Sequence, residues 1–173
     1  MEKLLLVISR ILKKSPEGRS RIDVSKLVYY CDGVSFQRHI QTITRQRYIH
    51  LETHPEALNF SRAILELNKG GYLEVKLQMS DSMIHGFYMH FLKDYPGELT
   101  REEERLMNKV LIAFKSKVTD ESRHYPNLYE TYVISPLYSE IPFSAETVNT
   151  KVHFLKKKSL LTLSGKIFRV FFT

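Results

Sequence analysis

Across residues 64–79, ILELNKGGYLEVKLQM, the spacing of apolar side chains switches from helical to alternating at a pair of glycines. Ala57, Phe60, Ile64 and Leu67 keep helical spacing, Gly70-Gly71 supply a left-handed C-cap, and Tyr72, Val75, Leu77 and Met79 carry the alternation of a strand. GFYMHFL, residues 86–92, reads as its antiparallel partner. Helix, glycine stop and hairpin together predict an α+β chain, a largely helical core with small antiparallel β-hairpins. The same order of elements recurs at LKKKSLLTLSGK from Leu155, 88 residues after its counterpart at Leu67. The recurrence fits two winged-helix-like halves, and it equally fits a common grammar used twice.

The remaining elements follow from periodicity and caps. Leu4, Leu5, Ile8, Ile11 and Leu12 predict an amphipathic helix over about 2–14, and SPEGRS breaks it. Ile22, Leu27, Val28, Cys31, Val34 and Phe36 predict a second helix over about 22–39, with Asp23 or Ser25 as its cap. Gly33 inside that helix costs about 1 kcal/mol of propensity relative to alanine, which implies close helix packing or a kink. Ile43, Tyr48, Ile49 and Leu51 suggest a strand near 47–52 that Pro55 ends. In LTREEERLMNKVLIAF, Thr100 and Glu103 form a capping box for a helix over 101–116, with Leu106, Val110, Ala113 and Phe114 as its buried stripe. A short helix near 127–133 and a surface loop follow, then a closing helix and hairpin. The domain reading is a helical domain with a small sheet over 1–140, and a winged-helix-like appendage over 141–173 packed on the same core.

With 173 residues, 43% of them hydrophobic, the chain has enough material for one proper core. The unbroken apolar run at the N-terminus covers only Leu4 to Ile8, so neither a signal peptide nor a membrane span is expected. The lone cysteine, Cys31, lies in the apolar run LVYYCDGVSF and reads as a small buried hydrophobe of a reducing compartment, so a cytoplasmic location is expected. The net charge of +7 is unevenly spread. Residues 1–54 hold 10 basic and 5 acidic residues, residues 55–143 hold 10 and 13, and residues 144–173 hold 6 and 1. Basic ends around an acidic middle suit a phosphate-facing surface, an acidic partner or internal complementation alike.

Nothing in the sequence builds an active site. His50 and His54 lie outside a helix, so their spacing of four does not make a facial metal pair. His85 and His90 have odd spacing on a predicted strand, and no phosphate-cradling glycine loop or nucleophile elbow is present. The expectation is a non-enzymatic chain with no catalytic residue, no metal and no cofactor. Tyr125, Tyr129, Tyr132 and Tyr138 cluster in a proline-broken stretch, and Tyr125 and Tyr129 are taken as partner-contact candidates because tyrosine brings contact area at little entropic cost.

The first three quarters of the chain resembles the Panacea domain, the SocA-like bacterial antitoxin family. In that family a K-L-hydrophobic-Y helix leads through a G-x-x-I-T-x-x-x-Y turn into a strand, then to a helix ending in glycine and an L-I-E-V strand. Lys26-Leu27-Val28-Tyr29-Tyr30, Ile43-Thr44, Tyr48 and Gly71-Tyr72-Leu73-Glu74-Val75 occupy those places, and Leu99-Thr100-Arg101-Glu102-Glu103 through Met107 echoes a later helix. The resemblance spans about residues 3–132. The chain departs from the pattern at Gln41-Thr42, at Thr53-His54-Pro55-Glu56 and in its final helix and hairpin. The resemblance implies a module that binds and neutralises a toxin protein, in one relative by delivering it to a protease. Its binding surface would involve the helix 22–39 and Arg38, Arg45, Arg47 and Tyr48.

A second reading takes the chain as a winged-helix DNA-binding regulator. Its helix near 145–158 would enter the major groove with Asn149 and Lys151, while Lys156, Lys157, Lys158, Lys166 and Arg169 would contact phosphates. Only Asn149 has the side chain a base edge favours near the start of such a helix, and the lysines also complement the helix dipole. The partner expected is a protein, a toxin, with DNA as the alternative and the membrane excluded.

Overall fold

The structure, a computed structural model, describes residues 1–80, 83–115 and 121–144. The fold is α+β, with two helices at its centre. Helix α1 (Glu2–Lys13) buries Leu4 through Ser9 as well as Ile11 and Leu12, far more than the single stripe its spacing predicted. Helix α2 (Arg21–His39) is buried at Val24, Ser25 and every position from Leu27 to Ser35. A helix covered on all sides is a core element. Its N-cap is Ser20, whose hydroxyl accepts from the Asp23 amide, so the caps predicted at Asp23 and Ser25 move three and five residues upstream. Ser25 is buried instead, and its hydroxyl donates to the Pro55 carbonyl at 2.8 Å.

Two small antiparallel sheets flank the helices. Strand β1 (Arg19–Ser20), β4 (Leu73–Ser80) and β5 (Met83–Phe91) form one, in the order β1-β5-β4, with Leu73 opposite Phe91 and Leu77 opposite Phe87. Strands β2 (Tyr48–His50), β3 (Pro55–Ala57) and β6 (Glu140–Ile141) form the other, in the order β3-β2-β6. Here the sequence reading needs correction: Pro55 and Ala57 belong to a strand, and helix α3 begins only at Phe60 and runs to Lys69. Pairing Ala57 with Tyr48 buries the alanine, and a proline at the first residue of an edge strand gives up no ladder bond. The glycine stop holds. Tyr72 N–H donates to the Leu67 carbonyl and Gly71 N–H to that of Asn68, with φ of +66° at Gly71, which is a Schellman motif.

Helix α4 (Arg101–Ala113) carries the predicted capping box between Thr100 and Glu103. Its buried stripe adds Met107 and Leu111 to Leu106 and Val110, while Ala113 is half-buried. The helix ends at Ala113, short of residue 116, and buried Arg19 donates to the Phe114 and Lys115 carbonyls just past its end, each at 3.1 Å. Beyond it, α5 (Glu121–His124) is tied to α2 by Lys26–Glu121 at 2.6 Å, and α6 (Pro126–Ile134) lies where a short helix was expected. Strand β6 and Phe143, which stacks on Tyr29 and Phe36, make residues 140–143 part of this body, so a boundary at 140/141 would cut a strand. The closing helix and hairpin predicted beyond residue 144, with Asn149, Lys151, Lys156, Lys157, Lys158, Lys166 and Arg169, lie outside the described residues. So does the second copy of the recurring pattern. Among the described residues no helix is long and apolar enough to cross a membrane.

Gly33 lets α6 approach. A Cβ there would lie 2.5 and 2.6 Å from the two Leu128 methyls, and α6 is held in place by the Tyr29 hydroxyl donating to the Leu128 carbonyl at 3.0 Å. Gly33→Ala therefore overpacks the contact and lowers stability by about 1–3 kcal/mol despite the better helix propensity of alanine. Combining it with Leu128→Ala frees the space, so urea denaturation of the double variant shows a smaller loss than the sum of the two single losses.

Candidate functional site

At its C-terminal end α2 gives way to a loop, residues 40–47, that departs from ordinary backbone. Ile40 caps the helix at φ 55° and Arg45 follows at φ 56°, both left-handed, a region where a β-branched residue is a true outlier. Ile40 is also 62% exposed. A strained, exposed isoleucine needs surroundings that over-determine it, and α2 supplies them. Ser35 Oγ donates to the Gln41 carbonyl at 2.7 Å. Asp32 does more: its carboxylate accepts from the Thr44 amide at 2.9 Å, from the Tyr48 hydroxyl at 2.7 Å and from the Thr44 hydroxyl.

Asp32 has no exposed surface, and among the described residues no cation pairs with it. Burial pushes its carboxyl up to about 6, and the hydrogen bonds from Thr44 and Tyr48 hold that rise in check. Three donors thus replace the counter-ion that a buried carboxylate ordinarily needs. Tyr48 is the far end of this network. It was expected on the binding surface, yet it is wholly buried, with its ring edge-on to Tyr29 at 5.2 Å and to Phe143 at 5.5 Å. Its role is to fix where the loop joins β2.

What the loop displays is charge and one apolar side chain. Arg38 lies in the last turn of α2, Arg45 in the loop and Arg47 at its end, just before β2. Arg38 approaches Glu102 at 3.3 Å, and Arg47, 70% exposed, approaches Glu140 at 3.3 Å. Glu102 is held at about 2 chiefly by its hydrogen bonds from Arg105, with Arg38 and His39 adding to the effect. Arg45 forms no ion pair among the described residues. With the Gln41 amide oriented oxygen-first, it donates to Gln41 from Nε at 3.2 Å and from Nη2 at 3.0 Å. On one side of the loop opens a cleft of about 620 Å³ bounded by Lys3, His39, Thr42, Arg45, Glu102 and Leu106. On the other is a shallower depression of about 330 Å³, floored by Phe36, Ile40 and Phe143 and flanked by Arg45 and Arg47.

Tyr125 and Tyr129 belong elsewhere. Tyr125 is half-buried and stacks on Tyr30 of α2 at 5.5 Å, while Tyr129 is half-buried in α6 beside Tyr132. They form part of the packing between α2 and α6 rather than an extension of the arginine loop. Among the histidines, His54 is buried against Thr53 and Glu56, and His50 meets the Ser135 carbonyl. Cys31 is fully buried and burial raises its thiol well above the usual range. No cluster of His, Cys, Asp and Glu able to hold a metal occurs among the described residues. Sequence reasoning passed over Asp32, Ser35 and Ile40. The signal for Asp32 was present: a carboxylate inside LVYYCDGVSF has to find donors, and Thr44 and Tyr48 follow at 12 and 16 residues.

Asp32→Ala leaves three buried donors without an acceptor and costs about 3 kcal/mol or more, whereas Asp32→Asn keeps one acceptor and lets the two hydroxyls turn to accept, at lower cost. Because the folded carboxyl titrates above its ordinary value, the native state holds the extra proton between about pH 4 and 6. This group therefore makes stability fall by up to about 1.4 kcal/mol per pH unit as pH rises through that window, and contributes no slope above it. Subtracting the Asp32→Asn unfolding profile from that of the native sequence isolates the effect.

Comparison of the chain with family models, with curated proteins and with solved structures returns no match.

Proposed function

We propose that the chain is a non-enzymatic protein-interaction module that grips an acidic surface of a partner protein with the loop 40–47 and the end of α2. The observation that carries this reading is the loop itself. Backbone strain at Ile40 and Arg45 is sustained by a buried three-donor network, and the same strain places an exposed isoleucine beside an arginine with no acidic partner among the described residues. Strain that presents side chains without building a reactive centre suits binding. An arginine flanked by an apolar anchor is the composition that dominates protein interfaces. The loop is preorganised, so little ordering entropy opposes association.

In line with the Panacea resemblance, the partner in this reading is a toxin, which the chain neutralises directly or presents to a protease. The toxin would carry Asp or Glu side chains to meet Arg38, Arg45 and Arg47 and an apolar residue to cover Ile40.

The test is co-expression with the products of adjacent reading frames. A neighbouring product that arrests growth alone is neutralised by this chain and co-purifies with it, and Arg45→Glu with Arg47→Glu reduces affinity at least tenfold while leaving the melting temperature within a few degrees. Neighbours that harm nothing overturn the reading. Duplex binding whose affinity falls linearly with the logarithm of salt, without neutralisation, replaces it with the nucleic-acid reading.

A further inference from the structure

The sheet formed by β1, β5 and β4 ends in a strand whose outer edge has no partner among the described residues. The hydrogen-bonding phase of that edge is fixed by its inner side. Leu92 N–H donates to the Tyr72 carbonyl at 3.0 Å, and the register places Tyr72 opposite Leu92, so this is a hydrogen-bonded pair. Alternation then turns the backbone groups of Glu74 and Lys76 toward β5, and those of Leu73, Val75 and Leu77 outward.

We infer that β4 pairs antiparallel with β4 of a second copy of this chain, about a two-fold axis at Val75. The charge pattern selects that register. Centred on Val75, the outward-facing groups of Val75 meet those of the partner copy's Val75, Leu73 meets Leu77, and Glu74 lies opposite Lys76 in both directions. Centring on Glu74 or on Lys76 opposes like charges, and centring on Leu73 or Leu77 pairs neither charge with its opposite. Glu74 and Lys76 already attract one another along the strand at 2.5 Å, and the second copy completes an alternating square of four charges. A lysine on an edge strand ordinarily deters pairing, but one set opposite a glutamate admits one register and rejects the others.

The other face of the hairpin adds apolar area. Leu73 and Met89 are buried in the body, whereas Val75, Leu77 and Phe87 on the same face are 39%, 45% and 60% exposed. Residues opposite one another across an antiparallel pair share a face, so the two-fold axis joins the two exposed stripes into one.

The experiment is sedimentation velocity on the full chain over a concentration series. The native sequence shows a monomer–dimer equilibrium. Glu74→Lys and Lys76→Glu, each on its own, raise the dimer Kd about tenfold or more by opposing like charges. An equimolar mixture of those two variants restores the dimer, because each then faces its opposite. Val75→Pro, which removes only an outward N–H from the edge, also gives monomer. A native chain that sediments as monomer throughout, a dimer indifferent to the single charge reversals, or a mixture that stays monomeric overturns the inference.

Discussion

Enclosure of the middle of α2, every position from Leu27 to Ser35, is the constraint from which the rest of this structure follows. The buried polar side chains of such a helix must be satisfied inside the protein. Here those side chains are Ser25, Asp32 and Ser35, joined by the hydroxyl of Tyr29. Each takes hold of a different segment: Pro55 at the start of β3, Thr44 in the middle of the loop and Tyr48 where it enters β2, Gln41 past the helix cap, and Leu128 in α6. The helix thereby specifies the path of chain that is otherwise irregular. An apolar side chain in place of any of these groups would keep the burial and lose the directions.

The same arrangement accounts for a strained segment on the outside of a protein that is regular within. Loops that bind are positioned by the scaffold beneath them. In this chain that scaffold is chemically unusual, a buried carboxylate stabilised by hydrogen bonds from neutral groups. The carboxylate has no access to solvent, so its chemistry is spent on geometry, and the surface above it is left to carry charge. The neighbouring ion pairs at Arg38, Arg47 and Glu102 are exposed and contribute little to stability. Breaking them removes little that holds the fold.

Most helices were legible because their signals are local. The Thr100–Glu103 capping box, the glycine stop after Lys69 and the periodicity of α1 and α2 each act within a few residues. The errors arose where partners distant in sequence decide the outcome. Pro55 and Ala57 have the spacing of a helix, and pairing with Tyr48 overrides it. The carbonyls past the end of α4 are satisfied by Arg19, 95 residues away from Phe114. Tyr48 looked like a surface aromatic beside arginines, and only the fold shows that Asp32 draws its hydroxyl inward. The basic loop was found because Arg38, Arg45 and Arg47 are close in sequence, while Ile40, its strained member, carries no mark that composition or periodicity can read.

The packing of Phe143 on Tyr29 and Phe36 also bears on synthesis. The two central helices leave the ribosome before the rest of this body, and the ring that seals their aromatic cluster, with the β6 strand that closes the second sheet, emerges about a hundred residues after them. At roughly 5–20 residues per second that interval lasts on the order of 5–20 s. The carboxylate gains its donors early, with Thr44 and Tyr48, but the aromatic surface of α2 at Tyr29 and Phe36 stays uncovered by Phe143 throughout that interval. Within this body the need for protection is thus greatest while α1 and α2 stand alone, and Phe143 with β6 ends it.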